Sequence, residues 1–330
     1  MSNKVAVITG GTAGVGFETC IQLASLEVSR FKKIYITSRS SGGAESAIKS
    51  FHEKTSCSKD MFGFLTLDLS SPKSCVDFVE NLPDEIDVMV LNAGSISLKS
   101  LQEKTETGVT KNFHAGCIGT AMIVEKLLSS GKLKKGGRMF YAAGEVQRSV
   151  WLFTGFQPFP VWDKSKTAIY PSTPPTSIFG GVIGVRSMIA GMQNYKTFMS
   201  LYMSKVAREN PDYYIYSVSP GGTITGLYDT WGQPLKFLVK FAPTRALFIA
   251  LGAVHKVEKA GKRYVEAMSG PDFTENFKTG TIVMGKGIFG TAGKLADCTK
   301  QRKEFGDFEA QDLVAEVLRG EMKKVQDAAL

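Results

Sequence analysis

The sequence predicts an α/β fold in which a doubly wound, parallel sheet carries helices on both faces. Two observations support this prediction: short β-branched runs alternate with amphipathic stretches, and glycine or polar residues follow each run directly. The chain has 330 residues, 43% of them hydrophobic, which is enough to bury one large core. We therefore expect one elaborated domain over residues 1–330, with a helical extension at the C-terminus.

The first strand and the first helix are predicted on either side of a glycine-rich turn. Residues 4–8 form a short apolar run, residues 9–16 form the turn, and residues 17–26 form an amphipathic stretch. The glycines allow a tight turn and a close approach to a pyrophosphate, while the N–H groups of the helix start attract anionic oxygens. This pattern indicates a Rossmann-type dinucleotide site made by Gly10, Thr12, Gly14, Val15 and Gly16.

Three further strands are predicted over residues 34–37, 62–67 and 87–91. In a doubly wound sheet, ligands bind at the carboxyl ends of the strands. The residues that directly follow these strands are therefore candidate cofactor contacts, namely Ser38, Arg39, Asp68, Leu69, Asn92, Ala93 and Gly94.

Together with residues 219–225, these motifs resemble the short-chain dehydrogenase/reductase family over residues 4 to about 226. The resemblance implies that Asp68 and Leu69 frame the adenine and that residues 92–94 line the ribose. It also implies that Thr223 and Thr225 meet the nicotinamide carboxamide and the phosphates. Within the same stretch, further cofactor contacts are expected from Pro220 and Gly222.

The residues after the second strand predict a preference for NADP(H). Ser38 stands where relatives that prefer NAD carry an acidic residue, which holds the ribose 2′-hydroxyl. Arg39 follows with a guanidinium group that suits a 2′-phosphate.

The catalytic positions depart from the family pattern. The family relies on an asparagine, a serine, a tyrosine and a lysine; the tyrosine exchanges a proton with the substrate, and the lysine lowers the pKa of the phenol. The matching positions hold Gly116, Gly144, Met192 and Lys196, so only the lysine is retained. The resemblance implies that the Lys196 ammonium bonds the nicotinamide ribose hydroxyls.

Tyr195 leaves three alternatives open. In a second register Tyr195 is the catalytic phenol, which places Met199 at the lysine position and shortens the helix relative to the family. In the first register Tyr195 lies three residues after Met192 on a neighbouring helix face, where it can still act as an acid. Otherwise it is a half-buried aromatic that packs beneath the preceding insertion.

Two aromatic segments are predicted near the substrate. The insertion over residues 145–191 carries five prolines, which disfavour a regular helix and favour a fixed loop over the cleft. Residues 226–256 form a second segment, which covers the substrate in the resembling family. The aromatics either pack on one another or line a pocket for a bulky apolar substrate of isoprenoid, polycyclic or tetrapyrrole type. Residues 258–264 and 278–281 resemble protochlorophyllide reductases and retinol-dehydrogenase-like proteins.

Charge and cysteine usage limit the other functions. The net charge of +9 is spread along the chain, which disfavours nucleic-acid binding and favours a basic rim for anionic cofactors or a membrane surface. Residues 241–254 are too short for a membrane span but can lie on a membrane surface. The five cysteines and three histidines show no metal or disulfide spacing. We expect a reducing compartment, either the cytoplasm or an organelle interior if a transit segment was removed.

Three functional hypotheses follow. The first is an NADP(H)-dependent oxidoreductase for a lipophilic small molecule, with water, Tyr195 or a hydroxyl of the insertion as the replacement proton donor. The second is a catalytically silent NADP-binding scaffold or sensor, and the third is an isomerase or cyclase on the same fold. The first is favoured because hydride transfer needs mainly orientation and electrostatics, whereas a missing acid costs ~10²–10⁴-fold and can be replaced.

Overall fold

A central β-sheet organises the protein in the computed structural model. The described residues are 4–26, 31–55, 57–94, 98–148, 182–223, 241–252, 254–286, 291 and 293–328, with only the backbone described at 59, 98, 148 and 182–190. Within them the sheet has eight strands: β1 (Val5–Ile8), β2 (Lys33–Ser38), β3 (Phe62–Thr66), β4 (Ile86–Leu91), β5 (Leu133–Ala142), β6 (Tyr214–Val218), β7 (Ile282–Gly285) and β8 (Leu295–Asp297).

The strands lie in the order β3-β2-β1-β4-β5-β6-β7-β8, and all neighbours are parallel except β7 and β8. The predicted doubly wound α/β fold is therefore confirmed, with one antiparallel strand at an edge. Strands β2 and β3 are added on one side of β1, and strands β4 to β8 on the other, so the strand order changes direction between β1 and β4, which are parallel neighbours. A crevice for ligands is expected at the carboxyl ends of these two strands.

Helices cover both faces of the sheet. They are α1 (Gly14–Ala24), α2 (Ser41–Thr55), α3 (Pro72–Glu80), α4 (Leu98–Gln102), α5 (Lys111–Phe113), α6 (Gly119–Ser129), α7 (Val182–Glu209), α8 (Ala242–Ala250), α9 (Val257–Ser269), α10 (Phe273–Asn276) and α11 (Phe308–Ala328). Helices α3, α6, α7 and α11 bury apolar residues against one face, and α1, α2 and α9 against the other. Coverage of both faces explains why the parallel strands are apolar runs.

Two segment boundaries differ from the prediction. The insertion was predicted to end at Gly191, but α7 begins at Val182 because residues 182–191 contain no proline to interrupt the helix. The remaining insertion, residues 149–181, lies outside the described residues. The C-terminal extension is not purely helical, since it also supplies β7 and β8 to the sheet.

The junction between β3 and α6 depends on one close backbone contact. A Cβ atom at Gly119, the first residue of α6, would lie 2.2 Å from the carbonyl oxygen of Leu69. This neighbour is backbone, so it cannot rotate away as a side chain would. The position of Leu69, a predicted adenine contact, therefore depends on glycine at position 119.

We expect Gly119→Ala to lower the free energy of unfolding by about 1–3 kcal/mol, because α6 or the Leu69 backbone must shift. Urea denaturation measures this change. Gly320→Ala is the matched control, since Gly320 is exposed in α11 and a Cβ there meets nothing within 4 Å. It should be neutral or stabilise the protein by ~0.5–1 kcal/mol. Equal effects of the two substitutions would contradict the assigned contact.

Candidate active site

The turn between β1 and α1 has the shape of an anion cradle. Gly10 and Gly14 have φ angles of +69° and +57°, which favour glycine. A Cβ at Gly16 would lie 2.4 Å from the Gly10 carbonyl oxygen, so the helix and the turn meet backbone to backbone. Ala13 precedes α1 without a capping side chain, and the first turn of α1 holds no acidic residue. The helix start is therefore suited to a pyrophosphate.

Side chains from neighbouring strands hold this turn in place. Asn92 Nδ2 donates hydrogen bonds to the carbonyl oxygens of Thr9, at 3.0 Å, and Gly10, at 3.3 Å. Thr9 Oγ1 accepts a hydrogen bond from the Ala93 N–H at 2.9 Å, and Thr37 Oγ1 accepts one from the Gly10 N–H at 3.0 Å. The Asn92 amide, predicted to line the ribose, thus also fixes the backbone of the glycine turn.

The predicted adenine-side residues lie on the adjacent strands β2 and β3. Ser38 ends β2, and Arg39 follows it with an exposed side chain. Asp68 Oδ1 accepts hydrogen bonds from the N–H and the hydroxyl of Ser70, at 2.9 and 2.6 Å. Leu69 is partly buried against the core. The sheet brings these groups to the same edge as the glycine turn, where Thr12 and Val15 are partly buried and Gly94 is exposed.

The turn after β6 packs against a buried histidine. The backbone N–H of His255 donates to the Gly222 carbonyl oxygen at 2.8 Å, and a Cβ at Gly221 would lie 2.0 Å from the ring atom Nε2 of His255. Burial lowers the pKa of His255, which favours the neutral imidazole in this position. Thr223 Oγ1 is buried without a hydrogen-bond partner among the described residues, which fits its predicted contact with a nicotinamide carboxamide. Pro220 is partly buried, and Thr225 lies outside the described residues.

A buried carboxylate that the sequence analysis missed connects the strand ends. Glu145 is 5% exposed, and its carboxylate accepts hydrogen bonds from the Ser219 hydroxyl at 2.5 Å and the Gly285 N–H at 3.2 Å. Its third donor is Arg263 of α9, at 3.4 Å, which also donates to two backbone carbonyls in the segment between β7 and β8. The only local signal was an acidic residue soon after an apolar strand.

The Lys196 side chain extends from α7 to the end of β5, on the same edge of the sheet as the glycine turn. Its ammonium donates a hydrogen bond to the Ala142 carbonyl oxygen. The Lys196 Nζ atom is 4.8 Å from the ring centroid of Tyr141 and 5.3 Å from that of Tyr195. Burial lowers the pKa of Lys196 to about 8, and the nearby Cys117 opposes this shift only in part.

Tyr195 fills the space beside Gly116. The residue is 6% exposed, and a Cβ at Gly116 would lie 3.1 Å from its Cδ2 atom. Cys117 Sγ contacts the Tyr195 carbonyl oxygen at 3.7 Å. Burial raises the pKa of the Tyr195 phenol, so the group stays protonated near neutral pH. Tyr195 is thus a buried member of the core, more buried than the half-buried aromatic that one of the three alternatives expects.

The positions that the resemblance matches to the catalytic serine and tyrosine hold Gly144 and Met192, which carry no hydroxyl group. A Cβ at Gly144 would meet Val146 Cγ2 at an ordinary contact distance of 3.6 Å, so a Cβ atom fits there. Met192 is partly buried against the core, one turn before Lys196. Met199, which the second register places at the lysine position, is fully buried in the core. The helix therefore directs residue 196, rather than residue 199, to the end of β5.

The known proteins that this chain resembles in sequence are dehydrogenases and reductases. Residues 4–142 match the family model described as short chain dehydrogenase. Dehydrogenase/reductase SDR family member 12 of Homo sapiens is 32% identical over 127 residues, which is 38% of this chain and 38% of that protein. Polyprenol dehydrogenase of Homo sapiens is 29% identical over 147 residues, 44% of this chain and 42% of that protein. The (+)-neomenthol dehydrogenase of Capsicum annuum is 33% identical over 96 residues, 28% and 29% of the two chains. The matches span less than half the length of these relatives.

Solved structures share the fold over most of the chain. A short-chain dehydrogenase from Burkholderia cenocepacia J2315 in complex with NADP has a TM-score of 0.58 at 16% identity, covering 85% of this chain and 95% of that one. An actinorhodin polyketide ketoreductase variant with NADPH has a TM-score of 0.58 at 14% identity, covering 86% and 96%. At these identities the likeness is one of fold.

Lys196 should oppose folding while it is charged. Its pKa falls from 10.5 to about 8 on burial, so the unfolded chain binds this proton more tightly than the folded protein does. We expect Lys196→Met to be more stable than wild type at about pH 7. Wild type should recover relative to the variant as the pH rises from about 8 towards 10.5, which urea denaturation at several pH values measures.

Lys205→Met on the same helix is the control, and its effect on stability at neutral pH should have the opposite sign. The hydrogen bond to Asp312 raises the pKa of Lys205, so its stabilisation is present at neutral pH and disappears as the lysine loses its proton at high pH. A difference between wild type and Lys196→Met that does not change with pH would contradict the burial of the Lys196 charge.

Proposed function

We propose that this chain is an NADP(H)-dependent oxidoreductase, starting from the short-chain dehydrogenase/reductase family that the family model, the curated relatives and the solved structures support. The observation that carries the proposal is the convergence of two features on one edge of the sheet. The anion cradle follows β1, and the Lys196 ammonium lies at the end of β5, two strands away. Neighbours of the same fold that contain NADP or NADPH support the choice of cofactor.

The substrate is proposed to be bulky and apolar. An isoprenoid alcohol or carbonyl is favoured over a polycycle or a tetrapyrrole, because polyprenol dehydrogenase and (+)-neomenthol dehydrogenase are named for alcohols of isoprenoid type. The protochlorophyllide-reductase-like pattern stays a prediction, and its residues have roles in the fold. Arg263 pairs with Glu145, and Thr279 Oγ1 accepts a hydrogen bond from the Ile215 N–H at 3.0 Å.

The residues of this chain divide the work between binding and proton transfer. The start of α1 holds the pyrophosphate, and Arg39 holds the 2′-phosphate. Lys196 uses one donor on the Ala142 carbonyl oxygen, which leaves two for the nicotinamide ribose hydroxyls. When bound, the cofactor supplies or accepts the hydride.

Tyr195 is the proposed proton donor in the reducing direction. Positions 116, 144 and 192 carry no group that can donate a proton, whereas Tyr195 precedes Lys196 and its ring lies 5.3 Å from the ammonium. The phenol O–H bond breaks, the proton moves to the substrate oxygen, and the Lys196 charge stabilises the phenolate that remains. Glycine at position 116 gives the ring its space in this arrangement.

A second candidate function is NADP binding without catalysis, as a scaffold or sensor. The burial of Tyr195, at 6% exposure, favours this candidate because a substrate must displace core packing to reach the phenol. The third hypothesis, an isomerase or cyclase, gains no support from the described residues.

Activity separates the two candidates. We expect NADPH oxidation in the presence of a polyprenal, with Tyr195→Phe lowering kcat by ~10²–10⁴-fold because the proton donor is lost. The dissociation constant for NADPH should stay unchanged. Tyr202→Phe is the matched control, since Tyr202 is a buried phenol of the same helix that donates to Glu125 at 2.8 Å. NADPH binding without oxidation of any isoprenoid carbonyl would favour the silent protein, and full activity of Tyr195→Phe would assign the proton to another donor.

Cofactor choice is tested at Arg39. Wild type should bind NADPH more tightly than NADH, and Arg39→Ala should weaken NADPH binding by roughly 10-fold or more while leaving NADH unchanged, because only NADPH carries the 2′-phosphate. Calorimetric or fluorescence titration gives both constants. Lys49→Ala removes an exposed cation from α2, the helix that follows Arg39, and should change neither constant. Equal affinities of wild type for the two cofactors would refute the preference.

A further inference from the structure

Helix α8 carries an apolar surface that is exposed in the part of the chain that the structure describes. None of its nine residues is buried. Among the described residues, five large hydrophobic side chains are exposed, and three of them lie within residues 241–251: Phe241 at 48%, Leu247 at 56% and Leu251 at 45%. We name these three residues the α8 surface. Single exposed apolar residues are common on protein surfaces, but a cluster of them marks an interaction site.

Basic residues accompany this surface in the sequence. Residues 241–257 contain Arg245 and Lys256, and they contain no aspartate or glutamate. A short helix with exposed leucines and nearby basic residues is typical of a segment that lies in the interface of an anionic bilayer. None of the described helices is long and apolar enough to cross a membrane, so any such contact is peripheral.

The composition of the surface favours a bilayer over a protein groove. Leu247 and Leu251 are four residues apart and therefore share one helix face, on which both are exposed. Exposed leucines with basic neighbours can insert among acyl chains while the cations meet the headgroup phosphates. An acidic protein partner would meet the same charges but must supply a matching apolar groove.

The α8 surface is also connected to the candidate active site. The Gly252 carbonyl oxygen, just after α8, accepts a hydrogen bond from Thr291 Oγ1 at 2.9 Å. Three residues later the His255 N–H donates to the Gly222 carbonyl oxygen, in the turn predicted to meet the nicotinamide. We infer that the α8 surface docks this protein on an anionic phospholipid bilayer, with the carboxyl edge of the sheet beside the membrane. Docking does not depend on the proposed reaction, although it gives a lipophilic substrate a short path to the site.

Vesicle co-sedimentation of the full chain tests this inference. Wild type should sediment with vesicles of phosphatidylcholine and phosphatidylserine, and less with phosphatidylcholine alone, and added salt should weaken the binding. The double substitution Leu247→Ser with Leu251→Ser should reduce binding by roughly 10-fold or more, because it removes two inserting side chains. Arg245→Gln should reduce binding to phosphatidylserine vesicles more than binding to phosphatidylcholine vesicles.

The matched control is Phe308→Ser at the start of α11, which removes the most exposed of the large hydrophobic residues that the structure describes, at 61%. It should bind vesicles as wild type does. All the substituted side chains are exposed, so thermal unfolding should stay near that of wild type. Failure of wild type to bind anionic vesicles, or equal binding by the double variant, overturns the inference. Dimerisation of wild type that the double variant loses, without vesicle binding, also overturns it and assigns the α8 surface to self-association.

Discussion

The buried carboxylate of Glu145 is the constraint on which the carboxyl edge of the sheet depends. An ion in a protein interior costs several kcal/mol unless its charge and its lone pairs are satisfied. Glu145 meets this requirement with donors from the residue after β6, from the last residue of β7 and from α9. Movement of any one of these elements removes one of the three donors from the buried charge. The turn after β6, which packs on His255, is therefore held in place at Ser219.

The two halves of the candidate site are stabilised in different ways. The glycine turn after β1 is a backbone structure, shaped by positive φ angles and held by side-chain amide and hydroxyl groups of the neighbouring strands. The half around Lys196 contains two groups whose charged forms are disfavoured by burial: a lysine with a lowered pKa and a phenol with a raised pKa. The Lys196 ammonium is charged at neutral pH and is therefore retained at a cost in stability, which is a common property of functional sites.

The sequence predicted the parts of this protein that follow from local pattern. Strands β1 to β4 and the glycine turn were found because hydrophobic periodicity and glycine spacing are properties of neighbouring residues. The Glu145–Arg263 pair joins residues that are 118 positions apart, and the Asn92 bond to Thr9 joins residues 83 apart, so neither leaves a local pattern. The strands β7 and β8 are only four and three residues long, too short for periodicity to separate them from loops. The start of α7 was missed because the prolines at 158–175 were assumed to prevent a helix in residues 182–191, which contain no proline.

The contact between Gly116 and the Tyr195 ring makes the residues at these two positions depend on each other during evolution. A side chain at 116 starts 3.1 Å from the ring, so a larger residue is tolerated there only after the ring has been replaced or displaced. In the opposite direction, a tyrosine at 195 reaches its present position without a shift of the ring only in a chain that already has glycine at 116. The two substitutions therefore have a preferred historical order, with glycine first. A chain that combines a larger residue at 116 with tyrosine at 195 must shift the ring to accommodate both side chains.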